Sequence, residues 1–372
     1  MKDVLRRWRP AVTAAPWRLA ASAGLYAGAG PPVQYVAENA DWVIRWIGER
    51  LRDEINTVVP GTMGTTTTPQ RLVRRVAHFG SQYMWTAWGP HLARSNRHVV
   101  SFFHGKREDG PDVSRHIDEF LASVPRLSRI VTGARMIERR LLAWGVPADK
   151  VVQIPIGVDT AVFHPPTAKQ RAVARARLAI PEDAVVVGSF QKDGVGWGNG
   201  MTPKLIKGPD VLLDVVTRLH RVVPVHVLLT GPARGFVKHG LERAGIPYVH
   251  RYTGTPVELV DCYHALDLYL ITSREEGGPM ALMEGMASGV PVVSTRVGMS
   301  PDLLTDGVTG GLAEPADAAG LAERALSILS LTSSDASRLR TLATETVKVC
   351  DWKVVARRHL DEVYRPLVAD GL

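Results

Sequence analysis

From Val33 onward, short runs of β-branched and aromatic residues alternate with amphipathic stretches of helical spacing. That alternation is the pattern of parallel strands joined by helical crossovers, so the expected class is α/β. In the first half, strands are expected over 33–36, 75–79, 98–103, 129–131 and 151–154. Helices are expected over 42–55, behind Asn39 and Asp41, and over 114–121, behind the turn at Gly110 and Pro111. In the second half, strands fit 184–190, 225–230, 248–252, 268–272 and 291–295, and helices fit 209–220, 235–244, 256–265 and 279–288. A further helix fits 352–367, with Val354, Val355, His359, Leu360 and Val363 on one side.

A chain of 372 residues, 45% hydrophobic, supports two cores of ordinary size. The boundary falls in 157–166, where Gly157, Asp159, Pro165 and Pro166 follow a strand and precede a new βα series. The expected division is 1–157, 158–350 and a closing helix in 351–372. The threonine-rich stretch 61–70 reads as a loop, and so does 193–203, whose glycines 194, 196, 198 and 200 make it long for a strand-to-helix connection.

No run of about 18 apolar residues spans a bilayer, and the basic N-terminus lacks the apolar core of a secretory signal. A soluble, cytoplasmic protein is expected, with a peripheral membrane position left open. Cys262 and Cys350 stand apart, each in a helical-looking stretch, and read as inert thiols. The net charge of +8 lies in the first half: Lys and Arg minus Asp and Glu is 23 − 14 through Lys169 and 22 − 23 after it. Such a face suits an anionic membrane surface, a phosphorylated small molecule or nothing beyond solvent. Nucleic acid is disfavoured, because no zinc-finger spacing, aromatic RNA-binding motif or arginine-dense helix is present.

The chemistry concentrates in Ser273 to Val293. A strand runs into Glu276, Gly277 and Gly278, then Pro279 at a first helical position, a helix of about three turns and Gly289 where it stops. The glycines let a ligand approach the backbone. The free amides of Gly278, Met280 and Ala281 would meet an anion with the helix dipole behind them, worth about 0.3–2 kcal/mol. Glu276 ahead of the helix and Glu284 inside it would then hold the two ends of a nucleotide sugar.

This segment resembles the glutamate, seven residues, glutamate motif of glycosyltransferase family 4. The resemblance extends to Ile154 through Asp159 with Phe163, to Lys207 and Gly208, to Tyr263 through Asp267 with Ser273, and to Gly298, Pro301, Asp302, Leu303 and Asp306 through Gly310. It implies the GT-B fold, two Rossmann-like domains facing across a cleft, with the acceptor on the first domain, the donor on the second and the closing helix crossing back. It implies retention of anomeric configuration, and transfer of a hexose-type sugar from a nucleotide diphosphate sugar, with UDP the favoured carrier. By the same resemblance Glu276 contacts the transferred sugar, Glu284 the ribose and Lys207 the diphosphate.

No cofactor is expected, and the lack of an Asp-x-Asp pair or a histidine cluster argues against a divalent ion. Asp267 reads as structural. Gly188 is followed by Ser189, Phe190, Gln191 and Lys192, where the family carries an arginine, so Ser189 and Lys192 are expected at the donor, with Lys192 as the substitute cation. His104, after the apolar run 99–103, resembles the family's strand-end histidine facing the sugar. The family's glycine-rich loop after the first strand is absent, and Asn39 and Asp41 stand in its place. Trp42, Trp46, Trp85 and Trp88 read as core and interface. The alternatives are an inverting or phosphorylase-like GT-B enzyme and a nucleotide binder without turnover. An NAD oxidoreductase is disfavoured, since no Gly-x-Gly-x-x-Gly follows the first strand.

Overall fold

The computed structural model describes residues 2–39, 43–254 and 256–369, with side chains described from residue 10 and not for 256 and 257. It divides into two units, Met1–Gly157 with Trp352–Leu372, and Val158–Asp351. Among the described residues no helix is long and apolar enough to cross a membrane.

In the first unit the strands are β1 (Val33–Val36), β2 (Met63–Thr66), β3 (Val76–Phe79), β4 (Arg97–Ser101), β5 (Arg129–Thr132) and β6 (Val151–Gln153). All pair in parallel, in the order β2-β1-β3-β4-β5-β6. The helices are α1 (Lys2–Ser22), α2 (Val43–Val58), α3 (Gln82–Trp88), α4 (Pro111–Ser123) and α5 (Arg135–Ala143). The chain passes from β1 outward to β2 and then back to β3 on the other side, so the sheet reverses its winding between β1 and β3.

The expected loop at 61–70 is corrected: β2 occupies its middle and a 3-10 turn, Pro69–Arg71, its end. Threonine is β-branched and suits an edge strand with one paired side. Asn56 fixes the register by donating to Met63 O at 2.8 Å and accepting from Met63 N at 2.9 Å. α4 begins three residues before the expected 114, with Pro111 in the first turn, where its missing N–H costs nothing. The expected start of α2 at Trp42, like Asp41, lies outside the described residues. Trp85 is fully buried, Trp88 is half-buried, and Trp46 packs edge-on against Trp352 with ring centroids 5.6 Å apart.

The second unit continues with β7 (Val185–Phe190), β8 (Val225–Thr230), β9 (Tyr248–Arg251), β10 (Leu268–Ile271), β11 (Val292–Thr295) and β12 (Gly311–Ala313). This sheet is also parallel, in the order β12-β11-β10-β7-β8-β9, and reverses between β7 and β10. Its helices are α6 (Ala168–Arg177), α7 (Pro209–His220), α8 (Gly235–Ala244), α9 (Pro256–His264), α10 (Met280–Ala287), α11 (Ser300–Leu303), α12 (Ala318–Leu329) and α13 (Ser333–Val347). The core joins Val187, Val227, Leu229, Leu268, Leu270 and Val293 to the inward faces of α7, α8 and α12. Asp267 is structural: it pairs with Arg171 and Arg175 and accepts from Val186 N at 2.8 Å, tying α6 to the sheet. Cys262 and Cys350 are buried, and burial pushes both thiols up to about 12, so neither is a thiolate near neutrality.

The closing segment consists of α14 (Trp352–Arg358), a π-helical turn (His359–Tyr364) and α15 (Arg365–Ala369), and it packs in the first unit. Val355, Leu360, Val363 and Tyr364 join the core over β1, β3 and β4, whereas Val354 points outward at 42% exposure, against the expected apolar side. The buried positions 352, 355, 356, 359, 360, 363, 364 and 367 keep the i, i+3, i+4 helical spacing through the π turn, and Val354 lies off that face. His78 on β3 anchors the segment, with Nδ1 2.6 Å from Tyr364 Oη and Nε2 2.9 Å from Ser101 Oγ. Burial, reinforced by His359, holds the His78 imidazole well below its usual range and therefore neutral.

Candidate functional site

In open α/β sheets, ligands sit beyond the C-terminal strand ends where the winding reverses. In the second unit that point lies between β7 and β10, and two connections leave the sheet there: 191–208 after β7, which contains the expected loop 193–203, and 272–279 after β10, which opens the segment beginning at Ser273. The two are locked together. Gly208 has φ +64°, and a Cβ on it would stand 1.9 Å from Thr272 O, so only glycine fits. Thr272 Oγ1 donates to Gly208 O at 2.9 Å, Arg274 N donates to Ile206 O at 2.8 Å, and Arg274 forms a two-pronged pair with Asp210.

This lock brings Lys207 onto Glu276, the two expected reacting-end residues, 69 positions apart in the chain. Ser273 Oγ donates to the same carboxylate oxygen at 2.9 Å, and Glu276 is 8% exposed. Lys204 is a third cation, absent from the sequence reading. Desolvation lowers its ammonium first, then the charge of Lys207, opposed by Glu276 and followed by Lys192. Its spacing of three from Lys207 was the available signal.

α10 begins at Met280, with Pro279 as its cap rather than its first residue. The amides of Met280 and Ala281 have no acceptor within the helix, by position, and Gly277 and Gly278 precede them. Gly298 closes over this turn, since a Cβ there would meet Gly277 at 2.8 Å. One turn inside, Glu284 accepts from Tyr263 Oη at 2.8 Å. Glu284 keeps some accessible surface, yet burial pushes its carboxyl up to about 7, with Tyr263 pulling the other way. Tyr263 carries Phe190 against its ring at 4.8 Å between centroids. No sequence spacing signals this pairing of residues from α9, β7 and α10.

The position of the family's arginine is rebuilt differently. Arg234, from the β8–α8 turn, donates to Ser189 O at 2.6 Å and to Ser189 Oγ at 3.2 Å, and lies 3.0 Å from Asp193; both charged side chains are fully buried. Ser189, 1% exposed, therefore holds Arg234 instead of presenting its hydroxyl outward. Lys192 lies over the Trp197 ring at 3.7 Å, on the exposed side of the glycine-rich loop. That loop is closed at its base: Gly194 and Pro203 form an antiparallel bridge, and Lys204 N donates to Asp193 O at 2.7 Å.

In the first unit, Asn39 lies after β1 and His104 after β4, both exposed on the C-terminal edge of the sheet. With β3 between β1 and β4, the strands that carry them run about 10 Å apart. Gln82 donates to His104 O at 3.0 Å, and Arg140 donates to Gly105 O at 2.9 Å, which fixes the turn carrying the histidine.

Residues 195–331 match the family model described as glycosyl transferases group 1. A D-inositol 3-phosphate glycosyltransferase from Corynebacterium aurimucosum is 34% identical over 176 residues, covering 44% of this chain and 39% of the relative. One of the same description from Saccharomonospora viridis is 31% identical over 238 residues, covering 59% and 51%. The chain thus spans about half or less of the length of these relatives. Among solved structures, sucrose-phosphate synthase from Thermosynechococcus elongatus has a TM-score of 0.73 at 17% identity, covering 92% of this chain and 100% of that one. Anabaena Alr3699/HepE in complex with UDP has a TM-score of 0.71 at 15% identity, covering 88% and 98%. At such identities these two share the fold, GT-B, and nothing finer.

Proposed function

We propose that this chain is a group 1 glycosyltransferase that moves a hexose-type sugar from a nucleotide diphosphate sugar to an acceptor hydroxyl with retention of configuration, supported by the family match over 195–331 and the relatives that share it. The observation that carries the reading is Lys207 held on Glu276 beside the open N-terminus of α10, at the winding reversal of the second sheet. A diphosphate seated on the α10 amides would have Lys207, Lys204 and Lys192 as counter-charges. As the bond from sugar to phosphate breaks, negative charge grows on the leaving diphosphate, and a cation placed in advance lowers that barrier more than it aids binding. The leaving phosphate oxygen can take the acceptor proton on the same face, so retention needs no pair of closely spaced carboxylates. UDP is the favoured carrier, supported by the complexes of Anabaena Alr3699/HepE with UDP and with UDP-glucose. The basic first half and the relatives named for D-inositol 3-phosphate make a phosphate-bearing acceptor the first to test. His104 is assigned to the transferred sugar and Asn39 to the donor phosphates.

Two carboxylates with different surroundings should fail differently. Glu276→Gln removes the partner of Lys207 and should lower kcat far more than nucleotide affinity, whereas Glu284→Gln should weaken nucleotide binding and spare kcat. Equal effects on both parameters from both variants would mean the sugar and ribose ends are wrongly placed. A panel of nucleoside diphosphates in a thermal-shift assay gives an independent check, because a true ligand at 100 times its Kd adds about 2.7 kcal/mol.

Glu284 also sets a pH dependence. Its free-state value of about 7 is raised, and ribose hydroxyls donating to the carboxylate would favour the ionised form and lower that value in the complex. Binding then releases a proton near pH 7, and affinity falls as pH drops below about 7, by up to about tenfold per unit. Calorimetry in buffers of different ionisation enthalpy reads the released proton. No proton release in wild type, or unchanged release in Glu284→Gln, would remove Glu284 from the nucleotide.

A further inference from the structure

Acidic residues are missing from two long stretches of the first unit: none lies between Asp3 and Glu38, and none between Glu54 and Glu108. The fold gathers Arg18 of α1, Arg74 before β3, Arg94 before β4 and Arg126 before β5 around one open cavity of about 540 Å³. Among the described residues none of the four has a carboxylate partner; Arg18 donates to the His91 carbonyl. Burial and then the like charges of Arg94 and Arg18 lower the Arg126 guanidinium, and burial, Arg18 and Arg126 lower His91 in the same direction. Uncompensated positive charge crowded in this way costs free energy that a bound anion would return.

The wall of the cavity is held under backbone strain. Arg74 has φ +51°, a region costly for a residue with a Cβ. It is kept there by Asn96, 5% exposed, which donates to Leu72 O at 2.8 Å and accepts from Arg75 N at 3.1 Å. Strain maintained by a buried clamp is a feature of binding sites. The cavity lies at the N-terminal ends of β3, β4 and β5, the edge opposite Asn39 and His104, so it is no part of the site described above.

Beside it, α1 exposes an apolar stripe at helical spacing: Val12 at 67%, Pro16, and Leu19 at 71%, with Leu25 at 82% just beyond the helix. Soluble phosphate would need only the arginines, and nucleic acid gains little from exposed aliphatic side chains. A bilayer uses both, taking apolar residues into the headgroup boundary while its anionic lipids meet basic residues. We propose that this edge of the first unit docks on an anionic membrane, with lipid phosphates in the cavity formed by Arg18, Arg74, Arg94 and Arg126 and the α1 stripe inserted beside them. The proposal stands apart from the donor chemistry, because docking needs no substrate.

The test is cosedimentation of the full chain with vesicles of phosphatidylcholine alone or containing one-third phosphatidylglycerol. Binding is expected to the anionic vesicles, with a large loss in 0.5 M NaCl. Each arginine near such a surface contributes about fivefold, so Arg74→Gln with Arg94→Gln should weaken binding about 25-fold. Leu19→Ser should weaken it several-fold with the salt dependence unchanged. All three positions are exposed, and unchanged thermal midpoints and nucleotide binding in the variants establish that they fold. Equal binding to both vesicle types, or full binding by the double arginine variant, overturns the proposal. So does displacement by inorganic pyrophosphate or a duplex oligonucleotide combined with no effect of Leu19→Ser, which would assign the cavity to a soluble polyanion.

Discussion

Lys207→Ala is expected to slow donor turnover about 100- to 1000-fold, measured as sugar transfer or as the slower hydrolysis of the donor, with KM changed far less than kcat. The magnitude follows from what the lysine faces. Its side chain is 25% exposed, and its ammonium is held by Glu276, itself on Ser273 and 10% exposed at its side chain, so the charge is positioned before substrate arrives. A cation that must not reorganise acts mainly on the transition state, in which the diphosphate carries its new charge. Alanine also leaves Glu276 without its counter-ion, and a comparison with the Lys207→Ala, Glu276→Gln double variant separates the two causes. If the lysine stabilises the leaving group, the double variant stays as slow as the single one. Turnover near the wild-type rate in Lys207→Ala would dispose of the proposed mechanism.

The readable parts of this molecule are those written in contiguous residues. The strand, Glu-Gly-Gly turn and helix at 268–288 are local, because an apolar run, glycines and a proline each dictate backbone geometry over a few positions. Lys207 was readable only through its resemblance to a known motif, since nothing in its spacing signals that Gly208 packs on Thr272. What stayed hidden depends on partners brought from far along the chain. Tyr263 on Glu284 joins residues 21 apart, Arg234 reaches Ser189 across 45, and His78 meets Tyr364 across 286. Ser189 shows the consequence: its place after the strand glycine suggests a donor contact, yet a distant arginine engages its hydroxyl. The misread threonine stretch has a different origin. At a sheet edge, polar β-branched residues satisfy one strand partner and solvent together, so composition alone does not separate strand from loop.

The second large effect concerns the loop behind the donor residues, and Asp193→Asn is the variant that exposes it. Asp193 and Arg234 are fully buried and 3.0 Å apart. Burial raises the carboxyl and lowers the guanidinium, while each partner opposes the shift in the other. A buried pair of this kind contributes little net stability, but removing one partner leaves an uncompensated charge and typically costs about 3–5 kcal/mol. For a unit of this size that is a fall of about 10 °C in its melting midpoint. The asparagine keeps the shape, so cavity formation adds little and the loss reports charge. Replacing both partners, Asp193→Asn with Arg234→Met, should recover a substantial part of that loss, because no buried charge then remains. Function should decline along with stability: Asp193 O takes the Lys204 amide, and the same loop carries Lys192 and Trp197, so the donor KM should rise in the single variant. A midpoint change below about 2 °C in Asp193→Asn, or a double variant less stable than the single one, would show that the pair is not the strut of this loop.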